Sequence, residues 1–176
     1  GEIALQRYLL ERHGVDVVIS RNKLTAESLS HIKFDKFIED GNIYNLRDDN
    51  VEFFQLQTLH TRGHARGLLA FYDEEFGFLI STDNVVGTGT VVIAPPEGNM
   101  VDYFESLNRL KNLPNLRFLC GSHGSAIYDA KGKIDEYISH RLEREKQVIE
   151  MLEKGAKTSE EIDEKLYVDL QPELVR

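Results

Sequence analysis

Three short polar segments, each placed after a strand-like apolar run, constrain the fold of this chain most strongly. They read His-Thr-Arg-Gly-His at residues 60–64, Ser-Thr-Asp-Asn at residues 81–84 and Gly-Ser-His-Gly-Ser at residues 121–125. Glycine close to a polar side chain lets the backbone turn sharply and bring that side chain to a shared point. Imidazole and carboxylate groups suit a borderline divalent metal such as zinc, so these segments indicate a metal site. The competing interpretation is that they are solvated loop residues, with Asp83 capping the turn that follows it.

The hydrophobic pattern predicts an α/β protein, because strand-like runs alternate with amphipathic helical repeats. The expected strands cover residues 15–19, 43–46, 51–58, 68–72, 76–81, 91–93 and 117–120, with a hairpin turn at residues 73–75. A first helix is expected to end at Gly14, and others to cover residues 99–113 and about 134–154. Two further helices are expected to begin at Thr158 and near Pro172, where capping residues and proline are favoured.

Composition describes a soluble globular chain of 176 residues, long enough for one domain with a small appendage. The formal net charge of −9 gives no non-specific attraction to nucleic-acid phosphates, so such binding would need a local basic patch. The single cysteine, Cys120, excludes an intrachain disulfide and is expected to be a small core residue. No apolar run approaches the length of a membrane span. We therefore expect a cytoplasmic protein that does not enter a membrane.

The long helical repeat near the carboxyl end carries a basic cluster, His140, Arg141, Arg144 and Lys146. Acidic residues precede and follow this cluster on the same repeat. We expect a solvated helix face with ion pairs along it.

The order and spacing of the three polar segments resemble those of the metallo-β-lactamase-fold hydrolases. In that family a His-Thr-Pro-Gly-His segment supplies a metal-ligand histidine, which His64 matches here. A strand ending in Gly-Asp supplies the carboxylate that bridges two metals, which Asp83 matches, and a Pro-Gly-His-Gly segment supplies a histidine, which His123 matches. The resemblance implies that His64, Asp83 and His123 are metal ligands. It also implies that Asp83 bridges the metals and positions the attacking water.

Within that family the chain is most similar to the branch of lactamase-β-2-like endoribonucleases and related thioesterase-like hydrolases. The likeness rests on Gly-Thr-Gly-Thr at residues 87–90, on residues 100–110 and on Tyr-Ile-Ser-His-Arg at residues 137–141. The implied fold is part of a four-layer α/β/β/α sandwich, followed by the helices of a winged-helix-like appendage. Residues 1–132 would be the second part of the metallo-β-lactamase-like domain, and residues 133–176 the incomplete helical appendage.

The chain departs from the family pattern in one motif and three loop positions. The leading His-x-His-x-Asp-His motif, which brings ligands to both metals, does not occur in it. Arg62 replaces a proline of the family, and Thr82 and Ser122 replace glycines. The expected partner is therefore the missing N-terminal half or a companion chain. Without it we expect an exposed apolar surface and self-association, since sheets must cover their apolar faces.

The resemblance implies a fragment of a metal-dependent hydrolase that uses two zinc ions, or manganese. Its metal-activated water would attack a phosphodiester of single-stranded RNA, a thioester, or a related ester or amide bond. The alternative is a non-catalytic half-fold that acts as a binding or assembly module. Because a catalytic zinc usually takes three protein ligands and an open position, we expect the chain alone to be inactive.

Overall fold

A computed structural model of the chain describes residues 38–48, 51–156 and 158–166. From Glu39 onward these residues belong to one compact unit. The strands are β1 (Ile43–Asp48), β2 (Val51–His60), β3 (Leu69–Asp73), β4 (Phe78–Thr82) and β5 (Phe118–Gly121). The helices are α1 (Met100–Lys111), α2 (Ala130–Glu153) and α3 (Ser159–Leu166). The expected α/β class is confirmed.

The described strands form a mixed sheet in the order β1-β2-β3-β4-β5. Neighbouring strands are antiparallel from β1 to β4, whereas β4 and β5 are parallel. It follows that β2, β4 and β5 point in the same direction, so their carboxyl ends reach the same edge of the sheet. We call this edge the carboxyl edge. The three polar segments at residues 60–64, 81–84 and 121–125 all lie at this edge.

One face of the sheet forms the core with α1 and α2. Side chains alternate between the two faces of a strand, so every second residue points into this core. The inward strand residues are at most 2% exposed: Leu59, Ala70, Tyr72, Leu79 and Leu119. They share one buried cluster with helix residues, among them Tyr103, Leu107, Leu110, Ile134 and Tyr137.

The other face of the sheet carries large apolar side chains that are only half-buried. They are Leu69, Phe71, Phe78, Ile80 and Phe118, and half-buried Cys120 alternates onto the same face. Phe78 stacks on Phe118 with the ring centroids 5.0 Å apart. Cys120 therefore lies within β5 on the half-buried face of the sheet, outside the buried core in which the sequence predicted it.

Asn99 starts α1 as the sequence predicts. Its side-chain oxygen accepts hydrogen bonds from the backbone N–H groups of Val101 (2.9 Å) and Asp102 (3.1 Å). The Asp102 carboxylate lies in the first turn, where the positive end of the helix dipole favours it. The backbone N–H of Asn99 donates to the carbonyl oxygen of Gly63 at 2.8 Å, which ties the start of α1 to the polar segment at residues 60–64.

The structure starts α2 at Ala130, four residues before the expected position. Asp129 caps the helix, because its Oδ1 accepts a hydrogen bond from the backbone N–H of Gly132 at 3.0 Å. The expected domain boundary between residues 132 and 133 falls inside the first turn of this helix. The division of the chain at that boundary stays a prediction.

The structure shows the first of the two hydrogen bonds of the capping box predicted at the start of α3. The hydroxyl oxygen of Thr158 accepts a hydrogen bond from the backbone N–H of Glu161 at 3.2 Å. In the part of the chain that the structure describes, no helix is both long and apolar enough to cross a membrane.

The strand expected at residues 91–93 is wrong. These residues are irregular, with Val91 buried and the carbonyl oxygen of Val92 bonded to the His64 ring rather than to a neighbouring strand. The expected helix before Gly14, the strand at residues 15–19 and the helix near Pro172 lie outside the described residues.

The turn between β3 and β4 covers residues 74–77 rather than residues 73–75. Asp73 remains in β3, where its buried carboxylate accepts hydrogen bonds from the backbone N–H groups of Gln55 (3.1 Å) and Phe76 (2.9 Å). Gly77 completes the turn with a φ of 67°, which glycine adopts without strain.

Candidate metal centre

Asp83 follows β4 directly, at the carboxyl edge of the sheet. The residue before it, Thr82, has a φ of 51°, in the left-handed region that β-branched residues seldom adopt. The backbone N–H of Asn84 donates to the carbonyl oxygen of Ser81 at 3.1 Å and closes the turn. The end of a core strand therefore holds the Asp83 carboxylate, and this side chain is 36% exposed.

His123 lies in the loop after β5, and two backbone hydrogen bonds tie this loop to the turn after β4. The N–H of Ser122 donates to the carbonyl oxygen of Thr82 at 3.0 Å, and the N–H of Gly87 donates to the carbonyl oxygen of His123 at 2.7 Å. A Cβ at Gly87 would lie 2.3 Å from a backbone oxygen of this loop, so only glycine permits the approach. The Nε2 of His123 thereby comes within 3.6 Å of Oδ1 of Asp83.

The separation of Asp83 and His123 suits two ligands of one cation better than a direct hydrogen bond. The 3.6 Å distance exceeds the range of about 2.7–3.2 Å for an N–H to oxygen hydrogen bond. Two donors that each lie about 2.0–2.1 Å from a tetrahedral zinc would be roughly 3.3 Å apart. Because the His123 side chain is 75% exposed, an ion pair here would add little to stability. The geometry of the pair is therefore compatible with a shared cation.

His64 is oriented by its own hydrogen bond and by the loop that carries it. Gly63, with a φ of 124°, lies so close to α1 that a Cβ there would be 2.3 Å from Cα of Tyr103. The half-buried His64 ring places Nδ1 at 2.9 Å from the carbonyl oxygen of Val92. A carbonyl can only accept, so Nδ1 carries a proton, and in the neutral ring Nε2 keeps its lone pair. Histidines that bind metals commonly have this arrangement, with the second nitrogen held by a carbonyl group.

His60 begins the same segment but serves to close the loop. Its Nε2 donates to the carbonyl oxygen of Arg66 at 2.7 Å, and its backbone N–H donates to Oδ1 of Asp40 at 2.7 Å. The Arg109 guanidinium donates to the carbonyl oxygen of His60 at 3.0 Å. These bonds fix the end of β2, from which the segment carrying His64 departs.

Two surface clefts of about 270 and 410 Å³ lie beside this loop. Both are lined by His60, Arg62 and Asp102, and neither is lined by His64, Asp83 or His123. Charges of both signs line these clefts. Because none of the three predicted ligands lines these clefts, we place the candidate metal centre at the carboxyl edge and not in the clefts.

The described residues fit part of a metal site but not a complete one. Within the described ranges, no three His, Cys, Asp or Glu side chains are grouped closely enough to hold a metal ion. Asp83 and His123 supply two converging donors, and His64 supplies an oriented imidazole that does not complete a group of three with them. Asn84, next to Asp83, is fully buried. Its side-chain oxygen has no hydrogen-bond partner among the described residues and is available to a bound water. The assignment of His64, Asp83 and His123 as ligands stays a prediction.

Comparison with solved structures shows the fold. A metallo-β-lactamase family protein of Thermus thermophilus matches 94% of this chain and 53% of its own, with a TM-score of 0.60 and 23% identity. A β-lactamase domain protein of Burkholderia ambifaria matches 81% of this chain and 42% of its own, with a TM-score of 0.53 and 20% identity. No family model matches the chain.

Curated relatives share sequence with the chain over part of their length. A β-lactamase-like protein 2 homologue of Caenorhabditis elegans is 33% identical over 120 residues, which are 68% of this chain and 39% of the relative. A lactamase-like protein of Emericella nidulans is 36% identical over 120 residues, again 68% of this chain but 36% of the relative. An atrochrysone carboxyl ACP thioesterase of a Cryptosporiopsis species is 29% identical over 121 residues, or 69% and 34% of the two chains. The chain thus spans less than half the length of these relatives.

The curated lactamase-like relatives, 33% and 36% identical over 68% of this chain, together with the shared fold show the class to which the chain belongs, the metallo-β-lactamase-fold superfamily. Within that superfamily the curated relatives place it in the lactamase-like branch, as the resemblance at residues 87–90, 100–110 and 137–141 predicts.

The sequence pattern does not single out the residues that contact the loops around the candidate centre. The charge pattern predicts that Arg141 lies on a solvated helix face, but Arg141 is half-buried and its guanidinium donates to the carbonyl oxygen of Val91. Another member of the basic cluster, Lys146, does form an exposed ion pair with Glu150 at 4.0 Å. The resemblance at residues 137–141 is the sequence signal that sets Arg141 apart from the other basic residues of the helix.

Proposed function

We propose that the protein carrying this chain is a metal-dependent hydrolase, with His64, Asp83 and His123 as part of its ligand set. The observation that carries the proposal is the 3.6 Å approach of His123 to Asp83 at the edge where the three polar segments emerge. The relatives support it, because they are named lactamase-like proteins and, in one case, a thioesterase. The ligands still needed would come from outside the described residues.

The three residues have two kinds of role in this proposal. Asp83 would be the anionic ligand shared by two metal ions, held rigidly because it directly follows a core strand. His64 and His123 would be neutral nitrogen ligands, and the bond from His64 to Val92 fixes the His64 ring before any metal binds. Zinc, or manganese, supplies a water of lowered pKa when bound, so that hydroxide is available near neutral pH.

We propose a thioester or related ester, rather than a phosphodiester, as the bond attacked. The net charge of −9 opposes binding of RNA. Two arginines of α2 are directed at backbone carbonyl oxygens, Arg141 at Val91 and Arg144 at Leu166. They are therefore not arranged as a surface that receives phosphates.

A second candidate function is a non-catalytic half-fold that binds or assembles with another chain. The observation that favours it is that the described residues contain no group of three metal-ligating side chains. A catalytic zinc usually takes three protein ligands, so chemistry would require additional donors. Enzymatic activity of the full-length protein separates the two candidates.

The test is hydrolysis of an acyl thioester by the full-length protein, before and after treatment with a chelator. Hydrolysis should disappear on chelation and return when zinc or manganese is added. Asp83→Asn should lower kcat at least about 100-fold, because a neutral amide does not bridge two cations. Asp102→Asn, which removes a carboxylate at the start of α1, is the matched control and should retain activity.

Hydrolysis that persists through chelation and through Asp83→Asn would contradict the metal-dependent proposal. If the metal-loaded protein hydrolyses neither thioesters nor esters, the non-catalytic half-fold becomes the better account.

A further inference from the structure

Residues 84–92 connect the three predicted ligands, and we call them the linking segment. Asp83 immediately precedes the segment. The N–H of Gly87 donates to the carbonyl oxygen of His123 at 2.7 Å. The carbonyl oxygen of Val92 accepts from Nδ1 of His64 at 2.9 Å. A displacement of this segment would therefore change the positions of His64 and His123 relative to Asp83.

α2 holds the middle of the linking segment through Tyr137, which is 6% exposed. The Tyr137 hydroxyl accepts from the backbone N–H of Val86 at 3.3 Å. It lies 3.4 Å from the carbonyl oxygens of Val86 and Gly89 and donates to one of them. One buried hydroxyl thus joins the helix to two residues of the segment.

Arg141 lies one helical turn after Tyr137 and holds the far end of the linking segment. Its guanidinium donates to the carbonyl oxygen of Val91, the neighbour of the residue that orients His64. The same group lies 5.8 Å from the ring centroid of Tyr103, within the range of a cation–π contact. The Tyr103 hydroxyl in turn donates to the carbonyl oxygen of Asn84 at 2.6 Å, at the near end of the segment. Side chains from two helices therefore fix both ends.

We propose that Arg141 and Tyr137 are positioning residues that set the geometry of the metal ligands by fixing the linking segment against α2. The inference deepens the proposed function and rests on it for the identity of His64, Asp83 and His123 as ligands. The competing account is that Arg141 only packs on Tyr103 and contributes general stability. The two accounts differ in whether a change at Arg141 reaches the ligands.

The experiment compares Arg141→Met and Tyr137→Phe with Arg144→Met in the full-length protein. Arg144 is a matched control, because it lies on the same helix and also donates to a backbone carbonyl, that of Leu166 at 3.1 Å, but does so in α3. Two properties are measured: amide hydrogen exchange in the metal-free protein, and the affinity and absorption spectrum of bound cobalt(II). The cobalt spectrum reports ligand geometry, which a loss of general stability would leave unchanged at saturating metal.

Arg141→Met should speed exchange at residues 86–91 and 121–125 and raise the cobalt dissociation constant by roughly tenfold. It should also shift the absorption bands of the saturated site. Tyr137→Phe should change the same observables to a smaller extent, and Arg144→Met should change none of them. The proposal is overturned if Arg141→Met matches Arg144→Met in exchange, affinity and spectrum. If the wild-type protein binds no metal, the proposed function fails, and equal exchange in the two methionine variants would then reject the positioning role separately.

Discussion

Thr82 combines an unfavourable backbone conformation with a compensating hydrogen bond. Its φ of 51° costs about 1–2 kcal/mol for a residue other than glycine. Its hydroxyl lies 2.8 Å from the carbonyl oxygens of Leu69 and Ser81 and donates to one of them. This bond offsets part of the cost and helps to hold the turn that presents Asp83.

Thr82→Val keeps the shape of the side chain but removes this hydrogen bond. We expect the free energy of unfolding to fall by about 1–2 kcal/mol, because a carbonyl group loses its partner while the strained backbone remains. Thr82→Gly relieves the strain as well and should change stability less. Urea denaturation of the three proteins measures the difference. A valine variant as stable as the wild type would show that the hydroxyl does not stabilise the turn.

The sequence identifies the candidate ligands but not the residues that position them. His64, Asp83 and His123 stand out because each lies in a short polar motif beside a strand-like run. The partners of the linking segment, Tyr137 and Arg141, lie about 50 residues further along the chain and meet it only through tertiary packing. Hydrophobic periodicity places them on a helix but does not show which backbone groups they contact.

At the scale of elements, Arg109 joins α1 to the turn before β1 and to the end of β2. This side chain contacts Oδ1 and Oδ2 of Asp40 at 2.9 and 3.1 Å, and it also donates to the His60 carbonyl group. Partial burial alone would raise the pKa of the Asp40 carboxyl. Hydrogen bonds from Arg109 and from the backbone N–H of His60 outweigh this effect, so the pKa lies below its ordinary value of 3.8. The ion pair therefore stabilises the charged form of Asp40 in the folded protein.

A lowered pKa in the folded state makes this contribution to stability dependent on pH. It is fully present above the ordinary pKa of 3.8 and is lost as the pH falls through the lower pKa of the folded state. Asp40→Asn should reduce the free energy of unfolding by roughly 0.5–1 kcal/mol at pH 7, since both side chains are more than a third exposed. The difference from wild type should shrink in urea titrations below pH 3.8.

The control for this prediction is Glu97→Gln. Glu97 lies 4.0 Å from Arg66, and both side chains are well exposed, so the change should have little effect at either pH. An Asp40→Asn effect of the same size at pH 7 and at acidic pH would show that charge is not its cause.

Most helices and strands follow from local pattern, and the exceptions have different causes. α2 begins early because the Asp129 cap overrides the loop-like sequence Lys-Gly-Lys at residues 131–133. Residues 91–93 are β-branched and apolar, yet they form no strand, because β propensity requires a neighbouring strand to pair with. Capping of α1 was predictable, since Asn99 acts through residues two and three positions away.

For the whole molecule, the order and direction of the strands explain why distant residues share one edge. β2, β4 and β5 all run toward the carboxyl edge, although β3 separates β2 from β4 in the sheet. The family resemblance predicted that His64, Asp83 and His123 serve one metal site, and the described topology explains how their segments reach the same edge. A further packing partner for the half-buried apolar face opposite the core stays a prediction. Self-association of the isolated chain stays a prediction.

The measurement that tests the account most directly is anomalous X-ray diffraction from crystals of the full-length protein grown with zinc. We expect an anomalous peak at the carboxyl edge, about 2.0–2.2 Å from Nε2 of His64 or His123 and from the carboxylate of Asp83. The remaining ligands should come from residues outside the described part of this chain. A peak elsewhere, or a well-ordered edge with no peak beside Asp83 and His123, would contradict the assignment of these residues as metal ligands.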